Sequence, residues 1–321
     1  MAFSSSHNMG RADLSGAFME FSLEEGQYVG PEVAPKVGVS ISKGYYPAIT
    51  RESHTLENNI RRAPDGGLQR ISFQTEDKSY KCQVHGVEVS KDDEQVLQLS
   101  NNYGIPVDEV AAMIAWHQVM RQHESRVAAL FQSTTLFTSG KGNYTDVSGS
   151  NPWATVGSDL YETIQTAQEA VHDKTGVTPM DAVMSYKVFN DALRNTGIRG
   201  DVSDSKDKTM QALAALLAPM LGLSKIHVAK GVYNNATGSF ASTFAGASLW
   251  NSNYVTVFAN NGGDLTAPRM ASTIVWEDFA NEVATIDEYR DESKQADIVR
   301  CQGSVEENIA DELLGHLLKV A

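Results

Sequence analysis

Apolar and small residues recur every three to four positions between Pro106 and Phe131, the spacing of a helix that buries one face. Pro106 suits the first turn of such a helix, and Asp108 and Glu109 are favourable near its positive end. The predicted buried stripe consists of Val110, Met113, Ile114, Ala115, Met120, Val127, Ala128 and Phe131. At about 1.5 Å per residue, the helix is roughly 40 Å long and spans a domain. A long core helix in a soluble enzyme is the alternative interpretation.

The chain before this helix lacks a helical period. Residues 1–47 combine glycine, serine and proline without a sustained apolar repeat, which predicts an extended arm that must lie on another surface. In residues 48–90, strand-like alternation flanks the turn-forming segment 61–67, so we predict a long hairpin with its tip there. Two interpretations stay open, a hairpin that reaches across a neighbour and a loop that folds back on its own chain.

Two further segments resemble element boundaries. Ser90, followed by acidic residues, predicts the cap of a short helix that begins at 90–95. Turn-forming residues fill 138–152, which indicates a domain boundary. The Gly-Lys-Gly at 140–142 does not match a phosphate-binding loop, because a Ser or Thr must follow the lysine.

From about residue 153 to 268, amphipathic helices alternate with short apolar strands, which predicts a compact α+β domain. Ser158 and Asp159 are candidate caps of its first helix, Gly176 is the stop, and Ser185 caps the second helix. The predicted strands are 182–184, 226–228 and 254–259, and a third helix carries Leu213, Leu216, Leu217, Met220 and Leu221.

The last segment, 269–321, contains strand-like runs at 274–276 and 298–301. Its final stretch is ambiguous. Ser304 and Glu307 have the spacing of a helical capping box, whereas the run 316–320 is typical of a strand.

The charge balance argues against a nucleic-acid-binding surface. The chain has 40 Asp and Glu against 26 Lys and Arg, a net charge of −14, which repels phosphate backbones but is compatible with enclosing nucleic acid. Cys82 and Cys301 are far apart, so neither a disulfide framework nor a zinc site is predicted, and a reducing compartment is favoured. No apolar run is long enough for a membrane span, and no secretory signal is predicted.

The chain lacks the short motifs of common catalytic sites, such as a nucleophile elbow, a dinucleotide fingerprint or a zinc-protease pair. His117 and His123 are six positions apart, which does not fit a metal-ligand pair on one helix face. The acidic pairs coincide with predicted caps and loops. We therefore predict no catalytic, cofactor-binding or metal-binding residues and no enzymatic activity, although a site assembled from scattered residues stays open.

The order of these parts resembles the major capsid protein of tailed bacteriophages, which has the Hong Kong 97-type fold. The resemblance is carried by Trp153, by the run TGVTPMDAVMS at 175–185 and the following FNDAL, by IHVAKGVYN at 226–234, and by SLW at 248–250. It implies an α+β fold with five parts. These are an N-terminal arm (1–47), an extended β-hairpin loop (48–90), a peripheral domain with a long spine helix (91–149), an axial α+β domain (150–268), and a return to the peripheral domain (269–321).

The resemblance implies a structural virion protein that assembles as pentamers and hexamers into an icosahedral head shell around double-stranded DNA. It implies contacts to copies of itself and to portal and scaffolding or decoration proteins, with no sequence-specific DNA binding and no membrane, and assembly in the host bacterial cytoplasm. Candidate contacts between subunits, at the hairpin tip, are Arg61, Arg62, Pro64, Asp65, Arg70 and Phe73. The alternatives are an encapsulin-like shell protein and a soluble α+β enzyme or binding protein.

Overall fold

The computed structural model describes residues 28–49, 75–94, 96–97, 107–155, 157–196, 198, 208–234, 246–260 and 269–321. Its α-helices are α1 (Gly30–Val33), α2 (Val107–Phe131), α3 (Leu160–Thr175), α4 (Tyr186–Leu193) and α5 (Met210–Met220), with 3-10 turns at Ser139–Lys141 and Glu312–Leu314. Its strands are β1 (Lys36–Val39), β2 (Lys43–Ile49), β3 (Thr75–Lys81), β4 (Gln83–Asp92), β5 (Tyr144–Asp146), β6 (Asp181–Ser185), β7 (Lys225–Ala229), β8 (Val232–Asn234), β9 (Gly246–Ser248), β10 (Tyr254–Phe258), β11 (Ala271–Trp276), β12 (Thr285–Asp291), β13 (Ala296–Ile309) and β14 (Gly315–Lys319). Among the described residues, no helix is both long enough and apolar enough to cross a membrane.

The first sheet is organised around β13. Its strand order is β1-β11-β13-β12, and β4 also pairs with β13. Val305 in β13 is the register partner of both Val275 in β11 and Gln83 in β4, so these two strands lie on opposite sides of β13. β1 is parallel to β11, whereas the other pairings are antiparallel. Residues from three separate parts of the chain, β1, β4 and β11–β13, therefore meet in one sheet.

The long helix α2 confirms the helix predicted over 106–131 and packs on the first sheet. In its second half the predicted stripe is confirmed, with Val127, Ala128 and Phe131 buried. In its first half Ala115 is buried as predicted, but the prediction is wrong for Ile114, which is 45% exposed. Alanines face the sheet there instead, and small side chains allow a helix to approach its neighbours closely. This contact consists of Ala111, Ala112, Ala115, Val119, Ile286, Val299 and Cys301.

The second sheet has the order β5-β14-β10-β6-β7 and is covered by α3, α4 and α5. The predicted helix boundaries are confirmed. Asp159 caps α3 by accepting a hydrogen bond from the Glu162 N–H, Gly176 ends it in a left-handed conformation, and Ser185 caps α4. The strands predicted at 182–184, 226–228 and 254–259 are also present. β14 is the C-terminal strand, so the last residues of the chain return to the middle of this sheet.

A helix begins within 90–95 as predicted, since residues 93, 94, 96 and 97 are helical, but its cap differs. Ser90 is not the cap, because β4 continues to Asp92 and pairs with β13, and the Asp92 carboxylate accepts a hydrogen bond from the Glu94 N–H. Ser304 and Glu307 do not form a capping box, because both lie inside β13. The strand interpretation of the C-terminal run is confirmed by β14.

Candidate functional site

The hairpin formed by β2 and β3 is a two-stranded sheet of its own. Within the described residues, its hydrogen bonds to the body of the subunit are few. Asn308 Nδ2 donates to the Tyr46 hydroxyl at 2.7 Å, Lys78 Nζ donates to the Ala310 carbonyl at 2.5 Å, and the Lys81 N–H donates to the Glu306 carboxylate. The hairpin is therefore held from one side, at the end of β13.

The register defines the two faces of this hairpin base. Tyr46 lies opposite Lys78, and both contact the body of the subunit. Because successive side chains alternate across a strand, the other face carries Lys43 opposite Lys81 and Tyr45 opposite Ser79. Both lysines are exposed, and Tyr45 is 75% exposed. This outward face presents two cations and one aromatic ring, and further along it the exposed Asp77 opposite Pro47.

A buried carboxylate connects the N-terminal segment to the long helix. Glu124, in the second half of α2, is fully buried. Its carboxylate accepts hydrogen bonds from the Gly30 N–H at 2.5 Å, the Val29 N–H at 3.3 Å and Trp250 Nε1 at 2.5 Å. Burial raises the pKa of the Glu124 carboxyl, while the hydrogen bonds from Trp250 and the two backbone groups oppose that rise. We call this group of four residues the arm junction.

The arm junction is extended by an ion pair to the second sheet. Glu32 in α1 accepts hydrogen bonds from Lys225 Nζ at 2.7 Å and from His227 Nδ1 at 3.0 Å, both on β7. The bond from His227 is the main cause that lowers the pKa of Glu32 to about 2. A few residues of the N-terminal segment thus contact α2, the second sheet and, through β1, the first sheet.

Two further buried charged groups connect α2 to the first sheet. Glu307 accepts from Arg126 through both carboxylate oxygens at 2.8 Å and contacts His123 Nδ1 at 2.7 Å. Burial raises the pKa of Glu307, but the bonds from His123 and Arg126 outweigh it and bring the pKa to about 2. Lys91, at the end of β4, donates to Asp108 at 2.6 Å and also to Glu288.

A second exposed surface with uncompensated charge lies just after β11. Glu277 and Asp278 are exposed, and neither forms an ion pair with any residue that the structure describes. Next to them, Phe279 stacks on Trp276 with ring centroids 5.7 Å apart. A cleft of about 320 Å³ opens here, lined by Glu277, Phe279, Ala280, Asn281, Thr285, Ile286, Asp287 and Gln302.

The contact residues predicted from the sequence are not the residues that the structure places in the surfaces and buried charged groups described above. Arg61, Arg62, Pro64, Asp65, Arg70 and Phe73 lie outside the described residues, so their role stays a prediction. The sequence reasoning missed Glu124 and Lys91, since their charges suggest surface positions and their partners are distant in sequence. It also missed the Lys43 and Lys81 pair, which only the register of β2 and β3 reveals. Within the described residues, no group of three His, Cys, Asp or Glu is arranged to hold a metal ion.

No protein-family model and no curated protein matches this chain. Solved structures do match. A phage-related protein from Bordetella bronchiseptica RB50 superimposes with a TM-score of 0.70 at 17% identity, covering 97% of each chain. The capsid of the cyanophage P-SCSP1u gives a TM-score of 0.56 at 11% identity, covering 90% of this chain and 86% of the other. A virus-like particle from Pyrococcus furiosus gives 0.55 at 12% identity, covering 96% and 98%.

These likenesses extend over nearly the whole chain at low sequence identity, which is what a shared fold without a readable sequence relationship produces. The chain therefore has the Hong Kong 97-type capsid fold that its sequence predicted.

Proposed function

We propose that this chain is a structural virion protein that assembles with copies of itself, as pentamers and hexamers, into an icosahedral head shell enclosing phage double-stranded DNA. The observation that carries the proposal is the match of 97% of the chain to a phage-related protein, together with the match to a cyanophage capsid. Because one fold hosts many functions, the proposal also needs support from the surfaces of this chain.

The hairpin provides that support. Its outward face carries an exposed tyrosine and two lysines without an ion pair among the described residues, and the described hydrogen bonds from its other face to the body lie at the end of β13. A two-stranded hairpin alone is at best marginally stable in water, so surface buried on a second copy would add the missing stabilisation. We extend this role to the tip residues Arg61, Arg62, Pro64, Asp65, Arg70 and Phe73, and we retain the division into arm, hairpin, peripheral and axial parts.

The charge of the chain fits a container that does not bind its content tightly. A net charge of −14 opposes contact with phosphate backbones, so the enclosed DNA would be held by the closed shell and not by a basic face. The proposal includes no enzymatic activity, location in the virion capsid after assembly in the bacterial cytoplasm, and contacts with portal and scaffolding or decoration proteins.

The test is to express the full chain and examine it by size-exclusion chromatography and negative-stain electron microscopy. We expect capsomer-sized species or closed shells whose fraction rises with protein concentration. A sharp small-oligomer peak at every concentration and salt contradicts the proposal and favours a soluble enzyme or binding protein.

A shell with protein cargo is the second candidate, favoured by the match to a virus-like particle over 96% of the chain. It differs from the first candidate in what is enclosed. Particles purified from the native host that contain DNA support the phage head, whereas particles with protein cargo and no nucleic acid support the encapsulin-like alternative.

A further inference from the structure

Lys43 and Lys81 face each other across β2 and β3 on the outward face of the hairpin base. Like charges directly opposite on one sheet face destabilise the pairing of the strands. The Glu306 carboxylate accepts a hydrogen bond from the Lys81 backbone N–H and forms no ion pair with either ammonium group in the described part of the chain. Neither ammonium group forms an ion pair with the described part of the chain, although acidic residues are in excess. This is an uncompensated cationic pair beside an exposed tyrosine.

An uncompensated surface of opposite sign lies at the end of β11. Glu277 and Asp278 are exposed and without an ion pair among the described residues, and Glu277 lines the cleft next to Phe279. The Glu277 carboxylate lies over Gly38, where a Cβ atom would be only 1.8 Å from Oε1. Gly38 therefore leaves room for this orientation of the carboxylate. The surface offers two anions and an opening large enough for one side chain.

We infer that the outward face formed by Lys43, Tyr45 and Lys81 on one copy docks on the Glu277 and Asp278 surface of a second copy. This inference rests on the proposed function and names the surfaces that would form one contact of the shell. Within the described part of one chain the two surfaces do not pair, and a second copy supplies each surface with the opposite charge. Nucleic acid is also anionic, so the test below separates it from a second copy.

A single contact of this kind between two copies is weak, whereas many such contacts together stabilise a lattice. An exposed ion pair contributes little by itself, but a shell repeats the contact in every subunit. Tyr45 supplies an amphipathic ring of the kind enriched at protein interfaces. The carboxylates of the second copy also offset the repulsion between Lys43 and Lys81. The hairpin therefore gains stability when the contact forms.

The test uses reversal of charge on each surface and on both. We expect Lys43→Glu with Lys81→Glu, and separately Glu277→Lys with Asp278→Lys, to lower the particle fraction in size-exclusion chromatography by roughly tenfold, since like charges would meet across the contact. The variant carrying all four substitutions restores opposite charges, and its particle fraction should return to within about threefold of the wild type. Reversal variants that assemble like the wild type, or a fourfold variant that stays defective, overturn the inference.

A single substitution separates assembly from subunit stability. Lys81→Glu places opposite charges across β2 and β3, so it should raise the melting temperature of the unassembled subunit while lowering the particle fraction. If Lys81→Glu lowers both the melting temperature and the particle fraction, the inference is overturned, because Lys81 then has a structural role in the hairpin itself. The matched control is Lys187→Glu with Lys230→Glu, two exposed lysines outside the hairpin, which should leave the particle fraction unchanged.

The outcomes distinguish this inference from the proposed function. Wild-type protein that forms no particles overturns both. Wild-type particles together with unaffected reversal variants overturn only the docking surfaces. If the Lys43 and Lys81 variant forms normal particles that have lost their nucleic acid, the partner of the lysines is nucleic acid, and the inference is wrong.

Discussion

Glu124 in the middle of the long helix accepts a hydrogen bond from the Gly30 backbone N–H at 2.5 Å, across 94 residues of sequence. The same carboxylate accepts from Trp250 Nε1, which belongs to the segment before β10. A Cβ atom at Gly30 would lie 2.7 Å from the carboxylate, so the glycine is needed for this approach. One buried side chain thus positions the N-terminal segment, α2 and Trp250 relative to each other.

Glu124→Gln should destabilise the subunit by about 1–3 kcal/mol, because all three partners of the carboxylate are donors and an amide has only one accepting oxygen. At least one N–H group would then be buried without a partner. The measurement is urea unfolding of the unassembled full chain. Trp250→Phe also removes a bond to the carboxylate, but it leaves both backbone bonds in place.

Limited proteolysis adds a local readout for the same variant. Cleavage near residues 28–34 should become faster in Glu124→Gln than in Trp250→Phe, since only the first variant weakens the hold on the N-terminal segment. Equal cleavage rates in both variants and the wild type would show that Glu124 does not hold this segment.

Lys91 should depend on Glu288 more than on Asp108. The Lys91 and Glu288 side chains are 3% and 16% exposed, whereas Asp108 is 58% exposed. Lys91→Met removes the Lys91 ammonium group from the Glu288 carboxylate, and we expect a loss of about 3 kcal/mol of unfolding free energy. Adding Glu288→Gln should recover a large part of that loss. A double variant that is less stable than Lys91→Met alone contradicts this account.

Local patterns predicted much of this fold. The bounds of α2, the caps of α3 and α4 and the strands β6, β7 and β10 appear where the sequence placed them. Each of these signals is contained within a few neighbouring residues, such as Asp159 with the apolar face of α3. An arrangement that depends on short-range chemistry is visible in a single sequence.

The remaining features depend on residues that are distant in sequence. Ser90 has the neighbours of a helix cap, yet pairing with Ile298 in β13 keeps it in a strand. Glu124 looks like a surface residue until Gly30 and Trp250 are placed against it. The lysine pair of the hairpin requires the register of β2 and β3. Tertiary pairing overrides local preference at each of these positions.

Gly303 in β13 should tolerate no side chain. A Cβ atom there would lie 2.0 Å from the Val283 carbonyl oxygen, and the clash is with backbone that cannot rotate away. We expect Gly303→Ala to lower the unfolding free energy by about 1–3 kcal/mol, as measured by urea unfolding. Gly149→Ala is the matched control, since nothing lies within 4 Å of its Cβ position. Equal stability of the two variants would contradict the packing of β13 against residues 281–284.

Glu307 should make the subunit sensitive to acid in a defined range. Its pKa is lowered from 4.5 to about 2, because His123 and Arg126 stabilise the charged carboxylate against the opposing effect of burial. The unfolded state therefore binds a proton first as the pH falls, so unfolding free energy is lost between pH 4.5 and about 2. The shift corresponds to a loss on the order of 3 kcal/mol across this range.

Glu307→Gln removes this titration, so its unfolding free energy, measured by urea denaturation at each pH, should fall less steeply than that of the wild type. Glu292→Gln, at a side chain 86% exposed, should keep the wild-type slope. Parallel pH profiles for the wild type and Glu307→Gln would show that the bonds from His123 and Arg126 do not favour the charged form.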